Sequence, residues 1–155
     1  MREKGSWKIL FSVVVLLLSE GCTGVAFYYF TGYVKDSSTN FTIAGVTVSS
    51  TNFDLHLEDG GSITKSYTEG VLTDAKDSFT VSSFVIYDCP IGCSKCSPPF
   101  KELNFGFYFS MEGYIPSETT YSGEILEGFS KSTSGAFILP DTLLSKQYAS
   151  CGFSY

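Results

Sequence analysis

Leu103-Asn-Phe-Gly-Phe-Tyr-Phe-Ser-Met-Glu112 decides the fold. In an extended chain, successive side chains point to opposite sides. Leu103, Phe105, Phe107, Phe109 and Met111 therefore share one face, and Asn104, Gly106, Tyr108, Ser110 and Glu112 share the other. A face of aromatics needs a cover, and a second sheet is the simplest one.

The same logic extends in both directions. Downstream, Ser117 to Ser122 and Ala136 to Leu139 read as strands, with a polar Gly/Ser loop over Glu127 to Gly135 between them. Upstream, Ser78 to Tyr87 holds Phe79 and Val81 in one phase and Phe84 and Ile86 in the other, so Ser82-Ser83 predicts a bulge or break. Tyr67 to Thr73 reads as the preceding strand, and Asp74-Ala-Lys-Asp77 as a turn. Phe53-Asp-Leu-His-Leu-Glu58 alternates, with Phe53, Leu55 and Leu57 inward, and Asp59-Gly60-Gly61 supplies a hairpin turn. Gly45 to Ser50 and Phe27 to Val34 are the earliest strands, separated by the turn cluster Asp36-Ser-Ser-Thr-Asn40. The chain carries 14 Phe, 10 Tyr and 15 Gly, and no long stretch shows helical periodicity. Short strands with frequent turn signals predict an all-β chain, an antiparallel β-sandwich.

An N-terminal signal peptide precedes this domain. Arg2 and Lys4 give a basic start, and Trp7 to Leu18 is apolar apart from Lys8 and Ser12. A run of that length falls short of the roughly 20 residues that span a bilayer. Ser19-Glu20-Gly21-Cys22 follows, with small Gly21 before the cysteine, and resembles the processing site of a bacterial lipoprotein. Leu18 stands four positions before the cysteine and Glu20 is charged, which departs from the usual box; Ser19-Glu-Gly21 also fits a plain secretory cleavage site. The lipoprotein reading makes 1–21 the signal, 22–26 a lipidated tether with the lipid on Cys22, and 27–155 a single domain. Thr23 is not the aspartate that retains many such proteins at the inner membrane, so the expected address is the cell envelope, at the outer membrane or cell surface.

Removal of the first 21 of 155 residues leaves 134, one domain with room for a full core. That portion has 7 Lys and no Arg against 14 Asp and Glu, a net charge of −7. An acidic, arginine-free surface argues against nucleic acid as a partner and against attraction to anionic lipid. Acyl chains at Cys22 would supply the membrane attachment, and stable anchoring takes more than one chain. The exposed tyrosines, Tyr28 or Tyr29, Tyr108 and Tyr121, are candidate contacts for a protein or carbohydrate ligand, but exposed tyrosines are common and no site is assigned to them.

Assigning Cys22 to lipid leaves Cys89, Cys93, Cys96 and Cys151, an even set that predicts two disulfides in an exported chain. Three connectivities are open, and we favour one bridge from Cys151 to the cluster with one local bridge inside it. Other readings of Cys89-Pro-Ile-Gly-Cys93-Ser-Lys-Cys96 are zinc bound with Cys151, a Cys93/Cys96 redox pair, and an iron–sulfur ligand set. The last needs a larger α/β barrel and a reducing compartment. Asp54, His56 and Glu58 share a strand face that would suit a divalent ion, and Asp74 with Asp77 would suit calcium, but solvated strand and turn residues need neither. No catalytic residue, metal or cofactor is assigned, because a single histidine serves the whole chain and no nucleophile–base pair is legible. Asn40-Phe-Thr42 is an N-glycosylation pattern that matters only in a eukaryotic secretory context.

Four phrases carry a family resemblance: Phe30-Thr-Gly-Tyr-Val-Lys-Asp36, Ile43-Ala-Gly-Val-Thr-Val48, Gly70-Val-Leu-Thr-Asp-Ala-Lys-Asp-Ser-Phe79 and Phe109-Ser-Met-Glu-Gly-Tyr114. Over Phe27 to Tyr121 the chain resembles the carboxypeptidase regulatory-like family, a transthyretin-like, immunoglobulin-like β-sandwich of about seven strands. Asp77 stands where that family has a turn glycine, and a Cys/Pro insert fills 88–101. The resemblance implies a non-catalytic accessory or adhesion-like module. The alternatives are a structural subunit of an envelope assembly, or a secreted thiol or zinc protein using the Cys89–Cys96 cluster.

Overall fold

The computed structural model describes residues 22–55, 63–74, 76, 78–89 and 96–148. Nine strands are described: β1 Cys22–Asp36, β2 Thr47–Asp54, β3 Thr64–Tyr67, β4 Val71–Leu72, β5 Ser78–Cys89, β6 Asn104–Ser110, β7 Ser117–Ser122, β8 Phe137–Ile138 and β9 Thr142–Leu144. A 3-10 turn, Phe100–Glu102, and one short helix, α1 Gly123–Glu127, complete the elements. The chain is all-β, as expected.

The sandwich expectation needs correction. The strands form one connected sheet in the order β7-β6-β2-β5-β1-β8, with β3 and β4 on β2 and β9 on β1. The pairings β1–β8, β1–β9 and β2–β5 are parallel, so the sheet is mixed rather than antiparallel. Parallel neighbours need a long crossover. Here residues 55–77 carry the chain from β2 back to β5, and β8 and β9 return to β1 from far along the sequence.

The sheet curls on itself. β1 and β6 are three steps apart in the hydrogen-bonded order, yet Phe30 meets Phe107 at 4.9 Å and Phe105 at 5.4 Å between ring centroids. Phe79 of β5 meets Phe109 at 5.7 Å, and Phe53 of β2 meets Phe105 at 5.1 Å. Leu103, Phe105, Phe107 and Phe109 are all buried, the face that the alternation predicts. Burying each such side chain contributes about 1.5–3 kcal/mol.

The curl is made by β2. Its first half, Thr47 to Ser50, pairs with β6, while Phe53 and Asp54 pair with β5. Where it passes between them, Ser50, Thr51, Asn52 and Phe53 are buried in succession. Three polar side chains inside a core demand partners. The Ser50 hydroxyl donates to Ser82 O at 2.8 Å, Thr51 Oγ1 donates to Gly106 O at 3.1 Å, and Asn52 Oδ1 accepts from Phe84 N at 3.0 Å. The Ser83 hydroxyl donates to the Thr51 carbonyl. Among the described residues, no buried side-chain nitrogen or oxygen lacks a partner.

This crossing explains several departures from expectation. One continuous β2 replaces two expected strands, and the rest of the expected Phe53–Glu58 strand beyond Leu55 lies outside the described residues. The expected Tyr67–Thr73 strand is two, β3 and β4, because each pairs with a different part of β2. Between them a Cβ on Gly70 would overlap the Thr47 methyl. β5 has no bulge against β1: twelve pairs run in unbroken register from Cys22–Cys89 to Tyr33–Ser78. Ser83 keeps the inward phase of Phe79, Val81 and Val85, and Phe84 and Ile86 simply face out. Residues 23–26, expected as a tether, are strand.

The carboxyl-side segments are pinned at Asp36. Its carboxylate accepts from Ser38 N at 2.8 Å, Thr39 N at 3.1 Å and the Tyr114 hydroxyl at 2.9 Å, and it pairs with Lys146 Nζ at 3.4 Å. The Ser38 hydroxyl adds a fourth donor. These hydrogen bonds, the Ser38 hydroxyl foremost, hold the Asp36 carboxyl well below the usual carboxylate range and raise the Tyr114 hydroxyl.

Candidate binding cleft

Where β2 leaves β6, the sheet opens into a cleft of about 160 Å3 lined by Thr51, Lys65, Ser66, Tyr67, Asn104, Gly106, Glu118 and Thr120. β3 forms one wall and β7 the other. The registers Gly106–Thr120 and Tyr108–Glu118 set the second wall, and Thr51–Tyr67 sets the first. The floor is Gly106, whose N–H donates to Thr51 Oγ1 at 3.0 Å. A Cβ on Gly106 would stand 2.8 Å from Thr51 Oγ1 and 3.4 Å from the Tyr67 hydroxyl oxygen, so only glycine leaves this floor open.

The Tyr67 hydroxyl spans the cleft and donates to Glu118 Oε1 at 2.7 Å. That bond to a carboxylate, with some burial, raises the Tyr67 hydroxyl above its ordinary range. The Tyr108 ring stands edge-on to Tyr67 at 6.4 Å. Lys65 Nζ lies over the Phe53 ring at 5.8 Å, which fixes the ammonium at the rim. The cleft thus offers aromatic surface, an ammonium, a carboxylate, an amide and hydroxyls. Its volume is below the roughly 300–1,000 Å3 of pockets that enclose a drug-sized ligand. It suits one ring or one side chain of a larger ligand.

A shallower hollow of about 430 Å3 lies over Tyr28, Pro98, Pro99, Phe100 and the Lys101–Glu127 ion pair, whose N···O distance is 3.0 Å. Its floor is structural. Phe100 packs on Tyr28 at 4.6 Å and stacks on Phe137 at 5.5 Å, so the Cys/Pro insert delivers a ring to the core. Burial, with repulsion from Tyr87, raises the Tyr28 hydroxyl.

Of the residues that the sequence singles out, Cys89 and Cys96 are joined by a disulfide with Cα atoms 5.7 Å apart. This is a local bridge inside the cluster. Cys93, Cys151, His56, Glu58 and Asp77 lie outside the described residues, as do residues 1–21. Cys22 opens β1 in register with Cys89. Asp74 accepts from Ser78 N at 3.0 Å and Lys76 N at 2.8 Å, bonds that close its turn and lower its carboxyl. Among the described residues, no group of three His, Cys, Asp or Glu could hold a metal ion, and no helix is long and apolar enough to cross a membrane. Of the tyrosines, Tyr29 and Tyr108 are exposed, whereas Tyr28 and Tyr121 pack partly into the core. Sequence reading missed Lys65, Tyr67 and Glu118, which are brought together across 51 residues by the curl.

No family model and no curated protein matches the chain. Among solved structures it is similar to 3-chlorocatechol 1,2-dioxygenase from Rhodococcus opacus 1CP, at 16% identity and TM-score 0.44 over 78% of this chain and 60% of that one. It is also similar to a mutant of Acinetobacter radioresistens catechol 1,2 dioxygenase, at 14% identity and TM-score 0.42 over 80% of this chain and 53% of that one. The chain thus spans under two thirds of the length of either enzyme.

Proposed function

We propose that this chain is an exported envelope protein, lipid-anchored through Cys22 at the outer membrane or cell surface, whose β domain is a non-catalytic binding or scaffolding module. The all-β curled sheet is compatible with a distant transthyretin-like relationship for that module, which rests on the sequence phrases alone. The observation that carries the anchored reading is the place of Cys22. It follows a basic-then-apolar leader at once and opens the longest strand of the domain. Intact mass of the membrane-extracted chain, alkylated without reduction, tests it. A chain that starts at Cys22, carries acyl mass and takes up no alkylating agent is the expected result. A soluble, unacylated chain with free thiols overturns it and turns attention to the cysteine cluster.

The cleft between β3 and β7 supports the binding half, with a carbohydrate ring or a protein side chain as ligand. Binding on a glycan array should be lost in Gly106→Ala, which fills the floor, and weakened in Tyr67→Phe, which keeps the ring but frees Glu118. Unchanged binding in both variants places the ligand elsewhere. One observation favours a second reading, a subunit of an envelope assembly: among the described strands β7 pairs only with β6 and ends the sheet order, so its outer edge can accept a partner strand. Native mass of the detergent-extracted protein separates the two, since an assembly subunit runs as a defined multimer.

A further inference from the structure

We propose that the outer face of β1 and β5 lies flat against the bilayer that holds Cys22, an inference that rests on the lipid-anchored reading. Val25, Phe27, Tyr29 and Tyr33 point outward from β1 with 46–59% of their surface exposed, and Ile138, paired with Thr31, is 42% exposed. Phe84 and Ile86 extend the patch onto β5, with Phe84 edge-on to Phe27 at 6.5 Å. The remaining outward positions from Thr23 to Tyr33 and from Ser78 to Ile86 are threonine and serine. Among the described residues, charge stands at the borders, with Lys35, Asp54, Asp74 and Asp88.

A domain of net charge −7 thus presents one uncharged face rich in Phe and Tyr. Apolar patches of this kind mark interaction surfaces, and amphipathic rings settle at the headgroup level of a membrane. The place of the anchor selects a bilayer over a second copy of the chain. In the lipid-anchored reading the acyl chains on Cys22 stand in the bilayer and hold the first residue of β1 at its surface. At about 3.3 Å per residue, Val25 lies roughly 10 Å and Tyr29 roughly 23 Å along the strand from Cys22. The patch begins where the anchor is, and β1 pairs with β5 from its first residue, which leaves little slack between them. Acyl chains plus a docked face give the two signals that stable attachment requires.

The test uses the full chain, expressed with its leader, extracted from membranes and reconstituted into phosphatidylcholine vesicles with brominated acyl chains. Trp7, the only tryptophan, leaves with residues 1–21 on processing, and Trp7→Phe also silences any unprocessed chain, so the background is dark for Phe27→Trp and, as an exposed control outside the patch, Tyr148→Trp. Flotation with the vesicles reports the anchor, and bromine quenching reports the face. The expected result is flotation of both variants, with a roughly twofold loss of emission for Phe27→Trp and little for Tyr148→Trp, as an interfacial ring requires. Flotation without quenching of Phe27→Trp leaves the anchor standing and overturns the docked face. If that chain also cross-links as a dimer, the face belongs to a second copy. Equal quenching of both variants overturns the docked face as well. Failure to float overturns the anchored reading and the docked face together.

Discussion

The two faces of the β1–β5 ribbon are made of similar residues and have opposite fates. Phe30, Val34, Phe79, Val81 and Val85 point inward and are at most 2% exposed, whereas Phe27, three residues from Phe30, is 59% exposed. Neither residue type nor local alternation separates Phe30 from Phe27. The difference comes from β6, whose Phe105 and Phe107 curl over the inner side and reach Phe30. A period of two tells which side chains travel together; the element that arrives from elsewhere tells which set is core.

The comparison can be broken with substitutions on either side. Phe30→Ala should cost about 3–5 kcal/mol through the cavity it leaves. Phe27→Ala should stay within roughly 0.5 kcal/mol in detergent solution. Denaturant unfolding checks both, and similar losses would mean that the outer face is also packed.

Asp36 closes β1 on its inner side, and Asp36→Asn should lower the thermal midpoint at neutral pH by disarming the joint with Ser38, Tyr114 and Lys146. The native carboxyl is held below its unfolded value of about 3.9. Its contribution is therefore complete above that pH and fades as pH falls below it toward the native value. The gap between wild type and Asp36→Asn should narrow in the same direction, and a gap that widens in acid would contradict the assignment.

The smallest contrast is between neighbours. Ser83→Ala leaves the buried Thr51 carbonyl without its hydroxyl donor, a loss of about 1–3 kcal/mol. Ser82→Ala, on the outer side, should change stability by less than roughly 0.5 kcal/mol.

How much of this was legible depended on whether one face of a strand was polar. β6 was, because Asn104, Tyr108 and Ser110 mark its outer side, and β7 was found over Ser117–Ser122 as expected. The expected Phe27–Val34 strand is shorter than β1 because Phe27-Tyr-Tyr-Phe30 is aromatic on both sides and the opening residues, Thr23 to Ala26, are small. The expected break in β2 falls at Thr51-Asn52, between the Gly45–Ser50 and Phe53–Glu58 strands, because polar side chains in succession give no apolar face there, whereas their hydrogen bonds let the strand pass through the interior. α1 was hidden by its five-residue length, although Ser122, whose hydroxyl accepts from Ile125 N at 3.3 Å, caps it. The cleft was illegible for a different reason. Lys65, Tyr67 and Glu118 belong to strands that meet only through the curl, and a pairing across 51 residues leaves no local trace.

A strand that belongs to both halves of a curled sheet also decides how the molecule comes apart. β7 and β9 can fray singly, since among the described strands each pairs with one neighbour. β2 cannot, because releasing it unravels the pairings with β3, β4, β5 and β6 at once. Its amides should therefore exchange with solvent only when the whole chain unfolds, while those of the outer strands exchange through smaller openings. The protein has a rim that breathes and a spine that does not.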